Sequence, residues 1–172
     1  LHLGVHNVKP IISRGILVDL PSYKGVARLP NSYEVTVADV RGALTKQGIA
    51  ESSISPRDVI VFRYGWAQLW KSPQEYSRNP PGIGLEVAHW LVEKQVTMTG
   101  ADTAPTEVQP NPEKDLVVPV HQELIMKNGI HNLENMDLES LAADKVYEFL
   151  FIFTPVRFVG ASGSPGRPIA IR

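Results

Sequence analysis

Cysteine is absent from the 172 residues, which removes disulfides, thiolate metal ligands and a cysteine nucleophile together. No apolar run approaches the roughly 18 residues that a membrane span needs, so no membrane partner is expected. Neither sign of charge dominates: 17 Lys and Arg face 18 Asp and Glu, a net of -1. The basic residues are scattered, without a basic run or interleaved aromatics, so nothing in the chain draws nucleic acid. The opening Leu1-His2-Leu3-Gly4 has neither a basic region nor the apolar stretch of a signal peptide. It also lacks Met, which points to a processed or partial chain. A cysteine-free composition does not fix the compartment and fits a reducing one as well as any other; the cytoplasm is favoured. There is no internal repeat, linker or low-complexity block. The length predicts one domain spanning 1–172 that buries roughly 70% of its unfolded surface.

Short apolar runs alternate with helical periodicity. Gly15 to Leu20 reads as a buried strand, and Asp19 near its end either caps a turn or faces a cleft. Pro21 to Tyr33 reads as a polar loop. Thr36 opens a helix with an acid at Asp39 and a stop at Gly48. Asp58 to Tyr64 is apolar at nearly every position, as in a central strand covered on both faces. Leu85 to Lys94 is a helix with Leu85, Ala88, Leu91 and Val92 on its apolar stripe, and His89 on its surface. Val96 to Ala101 is a strand, and Ala104 to Pro119 a long proline-rich loop of the kind that borders clefts. Leu138 to Ala143 is a helix after Asp137. A strand over 146–153 continues to Phe158, and Ile169 to Ile171 ends the chain. This order predicts an α/β fold with a mixed sheet and helices outside it.

The chemistry concentrates in Pro119-Val120-His121-Gln122-Glu123 and Leu133-Glu134-Asn135. His121 starts a helix that Gly129 stops, and a strand over 130–133 delivers Glu134. Such a pair can bind a divalent metal or share proton work. It can equally be a buried hydrogen-bonded pair, and the residues alone leave both open. Asp102 sits just past a strand's carboxyl end, where ligands bind in open α/β sheets. Trp66, after Tyr64-Gly65, walls a pocket or anchors the core. Two other readings fail. Gly160 to Gly166 lacks the Lys-Ser/Thr pair and helix start of a phosphate loop, and Ser162 and Ser164 lie in no nucleophile elbow.

Several blocks, in order, resemble the cyclase family of metal-dependent hydrolases, which includes kynurenine formamidase, isatin hydrolase and trans-dienelactone hydrolase. They are Arg14 to Asp19, Arg57 to Trp66, Gly100-Ala101-Asp102-Thr103, Val120-His121, Asn128-Gly129-Ile130, Leu133-Glu134-Asn135 and Gly160 to Pro165 with Ile169-Ala170-Ile171. The resemblance covers 14–172 and leaves 1–13 poorly matched. It implies a swivelling β/α/β-type fold, a Zn or Mn site, assembly as a homo-oligomer (dimer or tetramer) and attack of water on a small-molecule amide, formamide or lactone. His121 and Glu134 take the places of the family's late histidine and carboxylate. Trp66 and Asp102 fall where a substrate pocket is expected. The family's early motif, His-x-Gly-Thr-His-x-Asp, is only echoed by His2-Leu3-Gly4-Val5-His6-Asn7-Val8. Val8 replaces the Asp and Val5 the Thr, and almost nothing separates the echo from Gly15. His2 and His6 are therefore read as an accidental match. The chain is expected to correspond to the C-terminal portion of a longer member, active as a hydrolase if its missing ligands are supplied, and otherwise a family remnant serving as an oligomeric binding module.

Overall fold

The computed structural model describes residues 4–112 and 115–172. One six-stranded sheet organises them, in the order β6-β5-β3-β1-β7-β8. Its strands are β1 (Ile11–Asp19), β3 (Val59–Arg63), β5 (Met98–Ala101), β6 (His131–Leu133), β7 (Glu148–Phe153) and β8 (Ile169–Ile171). β1, β3, β5 and β6 run parallel, while β7 and β8 are antiparallel to their neighbours. A second, two-stranded parallel sheet pairs β2 (Glu34–Val35) with β4 (Gly82–Ile83). The expected α/β architecture with a mixed sheet is what the chain forms.

Strand alternation divides the interior. Ile16, Val18, Ile60 and Phe62 face the larger core, covered by α2 (Val37–Lys46) and α4 (Leu85–Glu93). Leu17, Val59, Val61 and the three phenylalanines of β7 face a smaller core on the other side. Both faces of β3 are buried, which explains its unbroken apolar run. In α2, Thr36 and Asp39 form a reciprocal capping box that satisfies two backbone donors at the helix start. Gly48, at φ +75°, takes the left-handed turn that ends it. In α4 the buried stripe is Val87, Ala88, Trp90 and Leu91, rotated from the expected one so that Trp90 faces inward, its indole donating to Glu51 (2.9 Å).

Three sequence expectations change. The first strand begins at Ile11 and its supposed last residue, Leu20, opens α1 (Leu20–Lys24). Asp19 caps that helix by accepting from the Ser22 N–H (3.2 Å), so the Pro21 to Tyr33 stretch is not all loop. β7 stops at Phe153, because the proline that follows cannot continue a ladder. Gly15 pairs with Phe149 across β1 and β7; a Cβ there would lie 2.3 Å from the Phe149 ring, so the ring occupies the space that glycine leaves. No described helix is long and apolar enough to cross a membrane.

Candidate functional site

The carboxyl ends of β1, β3, β5 and β6 carry Asp19, Arg63, Asp102 and Glu134 in a row. Glu134 follows a strand of only three residues at the sheet edge. His121 reaches it from α5 (Pro119–His121), which continues in π-helical geometry through Gln122–Lys127. Pro119 occupies the first turn, where its missing N–H costs nothing, and Gly129 at φ +66° turns the chain back into β6. The predicted helix, stop and strand are therefore present, and they bring His121 Nε2 within 3.1 Å of Glu134 Oε1.

Around this contact the polar groups are closely shared. The Asn132 amide donates to Glu134 (3.1 Å) and its nitrogen lies 3.3 Å from His121 Nε2. The Thr106 hydroxyl donates to Asn132 Oδ1 (2.7 Å), and the Thr106 N–H donates to Glu134 (3.3 Å). Burial pushes the Glu134 carboxyl up, but the His121 bond, with help from Thr106 and Asn132, holds it below the usual range. His121 is pushed up to about 9, first by its bond to Glu107 and then by Glu134, against the opposing effect of burial.

Glu107 is the residue that sequence reasoning missed. It is 1% exposed, and its carboxylate meets His121 Nδ1 and accepts from the backbone N–H groups of Val120 and His121 (3.3 Å each). Its seat depends on Gly82. The segment Thr106 to Val108 lies along β4, with Ile83 N–H donating to Thr106 O and Val108 N–H to Ile83 O. A Cβ on Gly82 would fall 2.3 Å from the Glu107 carbonyl carbon and 2.4 Å from Val108 N. Gly82→Ala is accordingly expected to push the two backbones apart and cost about 1–3 kcal/mol, and thermal unfolding unchanged from wild type would refute that account. The available signal was an acid inside a long loop leading straight to His121, but no periodicity marks such a residue.

The other predicted residues sit elsewhere. Asp102 is fully buried; its carboxylate accepts from the N–H groups of Tyr64 (2.8 Å), Trp66 (2.7 Å) and Ala67 (3.4 Å). Burial pushes it up to about 6, against those three donors and Arg63. It thus holds the Tyr64-Gly65-Trp66 turn rather than facing a pocket. Trp66 also has no exposed surface, packs in the larger core and donates its indole N–H to Tyr76 O (2.8 Å). Tyr76 links this turn to the site: its hydroxyl donates to Asn135 Oδ1 (2.8 Å), and burial, with the Asp102 and Glu134 charges, pushes it up to about 12. His6 lies in a short 3-10 turn, with Nδ1 buried and without a hydrogen-bond partner among the described residues. His2 lies outside the described residues. A cavity of about 370 Å³ opens beside β6 between Val5, Lys9, Met98, His131, Leu133 and Phe153, and Asn132 belongs both to its lining and to the His121–Glu134 group.

The donor chemistry suits part of a metal site. One imidazole nitrogen and one carboxylate oxygen converge, and a carboxylate on the far ring nitrogen is the usual outer support of a metal-binding histidine. Glu107, His121 and Glu134 lie in line rather than about a point. Among the described residues no three His, Cys, Asp or Glu side chains form a group that could hold a metal.

A solved structure described as a novel cyclase overlaps 98% of this chain with a TM-score of 0.85 and 33% identity. Isatin hydrolase A from Ralstonia solanacearum overlaps 98% with a TM-score of 0.78 and 19% identity. A protein described as a potential metal-dependent hydrolase with cyclase activity overlaps 93% with a TM-score of 0.61 and 17% identity. At those two lower identities the likeness is one of fold. The chain spans 56%, 64% and 65% of the three proteins, respectively. Comparison with curated proteins returned no match. The family model described as "Putative cyclase" matches residues 2–108, a stretch that holds Asp102 and Glu107 and starts before Arg14. By that match, the chain belongs to the cyclase family.

Proposed function

We propose that this chain supplies the His121 and Glu134 ligands of a divalent metal centre, Zn or Mn, in a hydrolase that opens an amide, formamide or lactone bond of a small molecule. The observation that carries the reading is the 3.1 Å approach of His121 Nε2 to Glu134 Oε1, with Glu107 on the opposite ring nitrogen. Its nitrogen and oxygen donors suit either metal. When bound, such a metal supplies Lewis acidity toward a carbonyl and lowers the pKa of water. His121 offers Nε2 while keeping a proton on Nδ1 for Glu107. Glu134 offers Oε1, and Asn132 and Thr106 fix the direction of its carboxylate. Asn132 also carries the group to the edge of the 370 Å³ cavity, which is large enough for a small ring compound. Two donors fall short of the three protein ligands of a catalytic zinc, so the proposed centre needs a further protein ligand beside His121 and Glu134.

Titration of the purified chain with Zn or Mn, followed by calorimetry, tests this. Weak stoichiometric binding is expected, falling at least tenfold in His121→Ala and in Glu134→Gln. Equal affinity in all three proteins, or no binding by any, overturns it. The second outcome favours a different role, a family member that binds partners without chemistry. The saturation of both His121 ring nitrogens by carboxylates is the observation on that side. A homo-oligomer is part of the proposal. Ile12, Leu150, Ile169 and Ile171 are all about half exposed or more on the sheet's antiparallel end and would be covered by association. Light scattering that returns a monomer removes this part.

A further inference from the structure

We infer that Glu107 is a positioning residue: it fixes the ring orientation and the Nδ1 proton of His121, so that Nε2 faces Glu134. The inference rests on the proposed function for its metal-binding consequence, but not for its geometry. Glu107 is fully enclosed, and a buried carboxylate is stable only where donors meet it. Among the described residues, the three donors that it meets belong to one short stretch: Val120 N–H, His121 N–H and His121 Nδ1. The same oxygen, Oε1, faces both the backbone and the ring nitrogen of His121. That shared acceptor leaves the imidazole one favoured rotation, because turning the ring away would strip the buried oxygen of its side-chain partner. The opposite nitrogen then points at Glu134 Oε1 and Asn132.

The position of Glu107 is itself set from outside the site. Its backbone forms an isolated bridge with Ile83, and the missing side chain of Gly82 admits it. The orientation of His121 is therefore tied, through Glu107, to β4, while the neighbouring Thr106 of the same segment donates to Glu134 and Asn132. Removing a comparable outer partner from a metal-binding histidine lowers metal affinity by roughly 10- to 100-fold.

Two measurements on wild type, Glu107→Gln and Glu107→Leu test this, with circular dichroism establishing that each protein folds. Nitrogen-15 NMR of the labelled imidazole should show a hydrogen-bonded, slowly exchanging Nδ1–H in wild type. That proton should move in the Gln variant and be lost to exchange in the Leu variant. Zinc affinity should fall at least tenfold in Glu107→Gln. If Glu107→Leu does not fold, the Gln variant decides alone. A wild-type ring without a protected Nδ1–H, or one whose Nδ1–H is the same in both variants, overturns the inference. So does zinc affinity unchanged by Glu107→Gln. If wild type and His121→Ala alike bind no zinc, the proposed function fails, and the Nδ1 resonance still judges Glu107.

Discussion

Asp102→Ala is expected to lower stability by about 3 kcal/mol at pH 7, or the melting temperature by about 10 °C for a chain of this length. The carboxylate is the acceptor for the Tyr64 and Trp66 N–H groups, both made at short distance in a site with no solvent. Alanine leaves those donors buried and unpaired, with about 1–3 kcal/mol lost for each. The size of the loss should depend on pH in a defined direction. Asp102 has a folded-state pKa of about 6 against an ordinary 3.8. The folded protein thus holds this proton more tightly than the unfolded chain does. The associated stability is fully present below pH 3.8 and is lost as pH rises through 6, to a total of up to about 3 kcal/mol. The gap between wild type and Asp102→Ala should accordingly narrow from pH 4 to pH 7. Urea unfolding at several pH values reads this directly, and parallel pH profiles for the two proteins would show that Asp102 is not a buried acid of this kind.

Arg63→Met should have a comparable or larger effect, about 3–5 kcal/mol. The guanidinium makes a two-bond contact with Glu139 (2.9 Å each) and a third bond to Asp19 (2.9 Å). The two partners differ. Asp19 is 3% exposed and also caps α1, whereas the Glu139 side chain retains 36% of its surface. Removing the arginine strands the Asp19 charge in the interior, while Glu139 is rehydrated at little cost. Glu139→Gln alone should therefore change stability by less than about 1 kcal/mol. The double variant Asp19→Asn/Arg63→Met should be more stable than Arg63→Met, because asparagine still caps the helix and carries no charge. Additive losses in that double variant would show that the stranded charge is not the source of the effect.

These residues also show what a sequence discloses. The fold class was legible because β3 is apolar throughout and α2 carries its own cap and stop, so local pattern and tertiary role agree. His121 and Glu134 were legible because Pro119, Gly129 and a short apolar run dictate a helix, a turn and a strand between them. Asp102 was recognised as a strand-end acid, but its use was not, since three backbone donors from a loop 36 residues earlier leave no trace in its neighbours. Trp66 followed the same pattern: an aromatic after a glycine turn has the same sequence whether it closes a pocket or fills the core. Glu107 was invisible for a further reason. Its burial depends on a backbone approach that only Gly82 permits, and a missing side chain says nothing about which strand comes near.

Gly15 has a consequence for how the chain finds its register. β7 carries Phe149, Phe151 and Phe153 at every second position, all facing the smaller core. Sliding β7 by two residues along β1 would keep every face correct and replace one phenylalanine by another, so hydrophobic pattern alone scarcely separates the alternatives. Shifted either way, Phe149 would come to lie opposite Ser13 or Leu17, where a side chain stands in place of the hollow that Gly15 leaves. A single missing methyl group thus acts as the index mark for the longest pairing in the sheet, and a residue with a Cβ at position 15 would make misaligned and aligned β1–β7 pairings compete during folding.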